Sequence, residues 1–148
     1  MNVVLKQTDE YDLLVKFFVE NGLEFDGDEE VDTDIIKCWK MTHGKDEHLM
    51  GGAVLAKREG KYIIDGIAIE AAYRKLAVGK ILLNRVKKEV ETLGGNEIYL
   101  VARAPGFFRK NGFVQVEESQ APNFFECKQC PQYKVSCHPE IMKWKLER

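Results

Sequence analysis

Tyr73-Arg74-Lys75-Leu76-Ala77-Val78-Gly79-Lys80 separates a strongly β-prone run, Tyr62 to Ile69, from an amphipathic helical run, Val78 to Leu93. A strand that enters a helix through a short basic loop of small residues points several backbone N–H groups at one spot. That spot lies at the positive end of the helix dipole, so it suits a phosphate or pyrophosphate. Position 79 has no side chain and position 77 only a methyl, which lets an anion come close to the backbone. Arg74, Lys75 and Lys80 add positive charge around it.

With these residues in place, the stretch resembles the acetyl-CoA signature of the GNAT family of N-acetyltransferases, R/Q-x-x-G-x-G/A. Arg74 takes its first position and Gly79 its last, with Ala77 replacing the middle glycine; Tyr73, Val78 and Leu82 also fit. A second stretch, Ala104-Pro105-Gly106-Phe107-Phe108-Arg109-Lys110-Asn111-Gly112-Phe113, is similar to the later family motif A-x-x-F-Y-x-K-x-G-F. The resemblance implies an α+β fold with a mixed, mostly antiparallel central sheet that splays at a cofactor slot. It implies that the backbone of Ile67-Ala68-Ile69 holds the pantetheine and the thioester oxygen, with Tyr99-Leu100-Val101 splaying away. The pyrophosphate is then expected on Arg74, Lys75, Leu76, Ala77, Val78, Gly79 and Lys80, and Phe107 and Phe108 beside the pantetheine arm.

Composition agrees with such a fold and excludes other classes. The chain has 148 residues, enough for one domain with a real core, and at 45% hydrophobic it is not disordered. A net charge of −2 gives no global basic field for nucleic acid. No apolar run approaches the roughly 20 residues that span a bilayer. The start, Met1 to Lys6, lacks the basic, apolar and cleavage regions of a signal peptide, so a cytoplasmic setting is expected.

The pattern predicts a strand over Asn2 to Lys6, then a helix N-capped by Thr8 that runs to Asn21-Gly22 with Leu13, Leu14, Phe17 and Phe18 at helical spacing. Asp34 to Met41 and Leu49 to Lys57 read as strands joined through His43-Gly44-Lys45-Asp46, and Arg58 to Lys61 as a hairpin turn. Gly94-Gly95 ends the long helix. A strand over Glu97 to Ala102, a short helix over Ala104 to Asn111 and strands over Phe113 to Glu117 and Glu140 to Leu146 follow. There is no repeat or linker, so residues 1–148 read as a single domain. The family likeness covers roughly residues 1–118 by order of elements.

The activity implied by the resemblance is transfer of the acetyl group of acetyl-CoA to a primary amine of a small molecule or amino acid by direct attack. A base takes the amine proton, hydrogen bonds stabilise the oxyanion, and the thiolate is protonated as it leaves. The family's acid, a Tyr after the first Phe of the second motif, is here Phe108, and a phenyl ring cannot protonate a thiolate. Either the thiolate leaves unaided, which its modest pKa allows, or another group does the work. The Asn common in the turn after the next strand is also absent, Val101-Ala102-Arg103 occupying that stretch. Candidates for the base are Glu70 at the end of the central strand, Asp65 within it and Tyr99 on its neighbour. Glu70 is preferred because that strand end faces the cleft in this fold. Asp65 places a charge in the apolar run Ile63-Ile64-Asp65-Gly66-Ile67, where burial is costly unless the charge is paired; Gly66 beside it marks a bulge.

Cys127-Lys128-Gln129-Cys130-Pro131 is a C-x-x-C pair, followed by Cys137-His138. In a cytosolic protein such clustering favours a metal over a disulfide, and Cys127, Cys130, Cys137 and His138 are candidate ligands of a structural zinc within a knuckle over residues 124–140. Adjacent Cys137 and His138 point apart on a strand, so Cys38 or His43 is an alternative fourth ligand. A redox pair, an iron–sulfur centre and free thiols are the rival readings. From Glu20 to Asp34 there are eight carboxylates and no basic residue, either a solvated loop or an acidic wall that attracts a cationic amine. The expected partners are thus a small-molecule or amino-acid amine, with no nucleic acid or membrane. A homodimer stays open because dimers are common in the family. Phe108 keeps a second reading alive: a CoA-binding sensor or interaction module without turnover.

Overall fold

The computed structural model describes residues 3–21, 34–102, 105–116 and 140–146, the side chains of 74–76, 105 and 140 excepted. The elements run β1 (Val3–Thr8), α1 (Tyr11–Glu20), β2 (Asp34–His43), β3 (His48–Arg58), β4 (Lys61–Ile69), a 3-10 turn (Ala71–Leu76), α2 (Val78–Thr92), β5 (Glu97–Ala102), α3 (Pro105–Lys110), β6 (Phe113–Gln115) and β7 (Glu140–Lys145). Strand and helix types follow the hydrophobic periodicity closely. The ends differ in places. β1 runs on to Thr8 and β2 to His43, past the expected Lys6 and Met41, so His43 is a paired strand residue and not part of the turn. Glu10, not Thr8, stands at the N-cap of α1, and the Thr8 hydroxyl instead accepts from the Glu10 amide at 3.1 Å.

Seven strands form one sheet in the order β1-β2-β3-β4-β5-β7-β6, antiparallel at every pairing except β4 with β5. This is the mixed α+β architecture that the two motifs imply. On one face α2 seats Leu82, Leu83, Val86 and Val90 against Met41, Met50, Leu55, Ile98, Phe113 and Met142, all essentially inaccessible. Each such aliphatic side chain stabilises the fold by about 1.5–3 kcal/mol. On the other face α1 packs Leu14, Phe17 and Phe18 against Cys38, Val54 and Ala68. No helix among the described residues is long and apolar enough to cross a membrane.

Two irregularities of β4 shape its upper half. Val54 pairs with Gly66 but Leu55 with Ile64, so Asp65 is the extra residue of a β-bulge. Gly66 is required there by close approach, because a Cβ at 66 would lie 2.5 Å from the buried ring of Phe18. Beyond the bulge β4 parts from β5. Among the described residues their parallel pairing registers only at Ile63 and Tyr99, near the start of both strands.

Candidate functional site

The parting of β4 and β5 leaves residues 64–69 of β4 without a strand partner on the β5 side among the described residues, whereas Ile67, Ala68 and Ile69 keep their pairing with Ala53, Gly52 and Gly51 of β3. Ile67-Ala68-Ile69 therefore borders an open seam with backbone groups to offer. At the top of that seam the Glu70 amide donates to Met50 O at 2.8 Å and the Tyr73 amide to Glu70 O at 2.9 Å. The chain then turns through the 3-10 segment that carries Arg74, Lys75 and Leu76, and Ala77 takes the left-handed conformation (φ 60°, ψ 12°) before α2 begins at Val78.

Neither Ala77 nor any other side chain caps the start of α2. Its first amides thus keep their donor capacity at the positive end of the dipole, as an anion site needs. Lys80 is exposed on this first turn, while the Val78 side chain is 4% exposed and belongs to the core, so Val78 can offer only its backbone. Gly79 has a packing reason as well as the one read from its motif: a Cβ there would stand 3.3 Å from the Phe107 ring. That contact joins the two motifs. Phe107 stacks edge-on against Phe108 (5.1 Å between centroids), and Phe108 against Phe113 (5.6 Å), so α3 is anchored beside the start of α2 by an aromatic column. The sequence places the loop and α3 about thirty residues apart; the fold brings them together. An uncapped helix start beside an open strand edge fits a long ligand with an anionic middle.

The three base candidates part company in the structure. Asp65 sits in the bulge with its carboxylate 3.7 Å from Arg58, both side chains 5% exposed or less. The Tyr99 side chain is buried, its hydroxyl donates to Glu97 at 3.1 Å, and burial pushes its pKa up, which disfavours the phenolate a base would require. Glu70 is half-buried and open to solvent at the end of β4, and it lines a cleft of about 480 Å³ with Leu13, Lys16, Phe17, Glu20, His48 and Leu49.

Beside Glu70 lies a cluster that the motifs do not contain. His43 and His48 face each other across the β2–β3 hairpin. His48 Nε2 is 2.8 Å from Glu70 Oε2, and His43 Nε2 is 2.6 Å from the Tyr73 hydroxyl. The three rings nest, with centroids 5.4 Å apart for the two histidines and 4.8 Å for His43 and Tyr73. The signal for this cluster in the sequence is only a pair of histidines flanking a polar turn; their convergence on Glu70 and Tyr73 depends on strand register.

The proposed zinc ligands Cys127, Cys130, Cys137 and His138 lie outside the described residues. Of the alternative fourth ligands, Cys38 is sealed beneath α1 at 4% exposure, with burial pushing its thiol up to about 11, so it is a poor thiolate donor. His43 is engaged with Tyr73. Among the described residues no group of three or more His, Cys, Asp or Glu side chains could hold a metal.

Known proteins bear on this arrangement at two levels. The fold matches a GNAT-family acetyltransferase of Staphylococcus aureus with a TM-score of 0.72 at 16% identity, covering 99% of this chain and 100% of the other. It also matches N-acetylglutamate synthase of Neisseria gonorrhoeae in complex with coenzyme A and N-acetyl-glutamate (TM-score 0.72, 17% identity), covering 100% of this chain but 36% of the synthase. The ribosomal-protein-S18-alanine N-acetyltransferase of Escherichia coli aligns over 99% of this chain and 96% of its own at a TM-score of 0.67 and 14% identity. In sequence, an uncharacterized N-acetyltransferase of Chlorobaculum tepidum is 24% identical over 76 residues, 50% of this chain. The chain matches about half, 48%, of the length of that curated relative. The family model of the acetyltransferase (GNAT) family matches residues 10–113, the span from the start of α1 to the start of β6. This chain belongs to the GNAT acetyltransferase family.

Proposed function

We propose that this protein transfers the acetyl group of acetyl-CoA to a primary amine of a small molecule or an amino acid. The observation that carries the reading is the parting of β4 from β5 directly below the 3-10 turn and the uncapped start of α2. One strand end thus offers a free edge for an extended arm and a cluster of amides for its pyrophosphate. In this reading the amides at 77–80, with Arg74, Lys75 and Lys80, take the pyrophosphate. The backbone of Ile67-Ala68-Ile69 takes the arm and aligns the thioester carbonyl, and α3 closes the far side through Phe107 and Phe108.

The amine enters through the cleft lined by α1, His48 and Glu70. It must be neutral to attack, so the proton chemistry centres on Glu70 and its neighbours. Attack forms the C–N bond and breaks the C–S bond. The proton shed by nitrogen as the amide forms then neutralises the thiolate, a step that Phe108 cannot assist. An amine acceptor is supported by structural neighbours named as an N-acetylglutamate synthase and a ribosomal-protein-S18-alanine N-acetyltransferase. Thiol release from acetyl-CoA is the test, measured with L-glutamate, L-alanine amide, L-lysine and 1,4-diaminobutane. Amine-dependent release with at least one of them is expected. Tight CoA binding with no release for any amine favours the second reading, a CoA-binding module, for which the aromatic packing of Phe108 in place of a hydroxyl is the favouring observation.

A further inference from the structure

His48 and Glu70 meet at the cleft, and their pairing carries an assignment that rests on the acetyl-transfer reading. We propose that His48 Nδ1 is the base that takes the proton from the acceptor ammonium, and that Glu70 is the positioning residue that holds His48 for this task. The Nε2–Oε2 distance is 2.8 Å. An ionised carboxylate only accepts hydrogen bonds, so Nε2 carries the hydrogen and the lone pair of a neutral ring lies on Nδ1. Among the described residues Nδ1 has no polar partner. The carboxylate also stabilises the imidazolium once the proton arrives, the logic of a carboxylate–histidine pair.

Placement supports the same division of labour. Both side chains line the cleft, and that of His48 is 51% exposed against 35% for Glu70, so the ring is the more accessible group. His48 is held in register by its cross-strand partner His43, whose ring lies edge-on to it, and Tyr73 packs 6.1 Å away. Tyr73 opens the proposed pyrophosphate turn and is bonded to His43, so the base and the donor site share one scaffold. Among the described residues, the charged and titratable groups around His48 include Glu70, His43 and Tyr73 on its own side, the adjacent Glu47 in the chain, and Lys16 and Glu20 of α1 across the cleft. In the step itself, the acceptor N–H bond breaks and its proton passes to Nδ1. The freed lone pair attacks the thioester carbon, and the imidazolium later returns its proton to solvent.

The experiment measures steady-state thiol release from acetyl-CoA with whichever of the four amines gives the native protein its highest turnover. His48→Gln is expected to lower kcat about 100-fold, the scale of general-base catalysis, with KM for acetyl-CoA and CoA binding by calorimetry unchanged. Imidazole added to His48→Ala restores part of the lost rate. Glu70→Gln costs about tenfold, the scale of an orienting partner, and adds nothing to the loss in His48→Ala. Circular dichroism on each variant confirms that it is folded, and His48→Asn provides a second replacement. Turnover by folded His48→Gln equal to native overturns the proposal alone. So does a Glu70→Gln defect as large as that of His48→Gln with no imidazole rescue, which would make Glu70 the group that meets the amine. Absence of turnover by the native protein with every amine overturns the transfer reading, and this assignment with it.

Discussion

Replacing Ala77 with glycine should make this protein more stable. Ala77 holds φ 60° and ψ 12° between the 3-10 turn and α2, and its side chain is exposed, so the methyl adds no packing. A left-handed backbone costs a non-glycine residue about 1–2 kcal/mol through the clash of its Cβ with the following carbonyl. Glycine removes that clash but gives the unfolded chain freedom worth about 0.4–1 kcal/mol. The difference is a net gain of about 0.8 kcal/mol, which for a chain of this size raises Tm by about 2–3 °C. Ala77→Val puts a β-branched side chain into the same conformation and should lower stability by more than Ala77→Gly raises it. Urea titration and calorimetry on the three proteins measure both differences. A lower midpoint for Ala77→Gly, or a valine variant as stable as native, would refute the strain on which the reasoning depends.

Other outcomes follow from particular contacts. Gly66→Ala drives a Cβ to 2.5 Å from the Phe18 ring and should cost about 1–3 kcal/mol in urea unfolding, the range for overpacked cores. A variant as stable as native would mean that α1 can lift off β4 freely. Cys38 has a thiol raised by burial from 9.0 to about 11, so the folded state holds this proton more tightly than the unfolded chain. Its contribution to stability is complete below pH 9 and lost as pH rises through about 11; the difference in unfolding free energy between native and Cys38→Ala protein, followed over that window, should shrink, and a constant difference would contradict it. If Cys127, Cys130, Cys137 and His138 form the proposed knuckle, stoichiometric zinc is expected in protein purified without chelator and is expected to be lost in Cys127→Ser and Cys137→Ser. Metal-free native protein with reduced cysteines would count against the knuckle.

Much of the fold was legible because its signals are local. The β-prone residues of Tyr62 to Ile69 and the 3.6-residue spacing from Val78 mark β4 and α2 within one or two residues. The turn between them carries its own chemistry in Arg74, Ala77 and Gly79. Only half of the role of Gly79 is legible, since a missing side chain is visible in sequence but the Phe107 ring beside it is not. Thr8 misleads because a threonine hydroxyl also accepts from an amide when it stands two positions before the cap residue, as it does here from Glu10. Asp65 could be recognised as anomalous, yet its bulge and its approach to Arg58 are long-range facts. The histidines are the least legible part: His48 belongs to no motif, and His43 reads only as a turn residue and a spare metal ligand. Two strands must pair in one particular register before those rings face each other and reach Glu70 and Tyr73, and nothing within either strand announces that register.

Calorimetric titration with CoA tests most directly whether the turn over residues 71–80 is the pyrophosphate site. One CoA is expected to bind per chain. Arg74→Glu and Lys80→Glu should each weaken binding by about tenfold, or about 1.4 kcal/mol, without lowering Tm, and neither should change the weaker binding of pantetheine, which lacks the pyrophosphate. Binding of CoA that is unaltered in both variants, or lost equally for CoA and pantetheine, would contradict the placement of the anion on this turn.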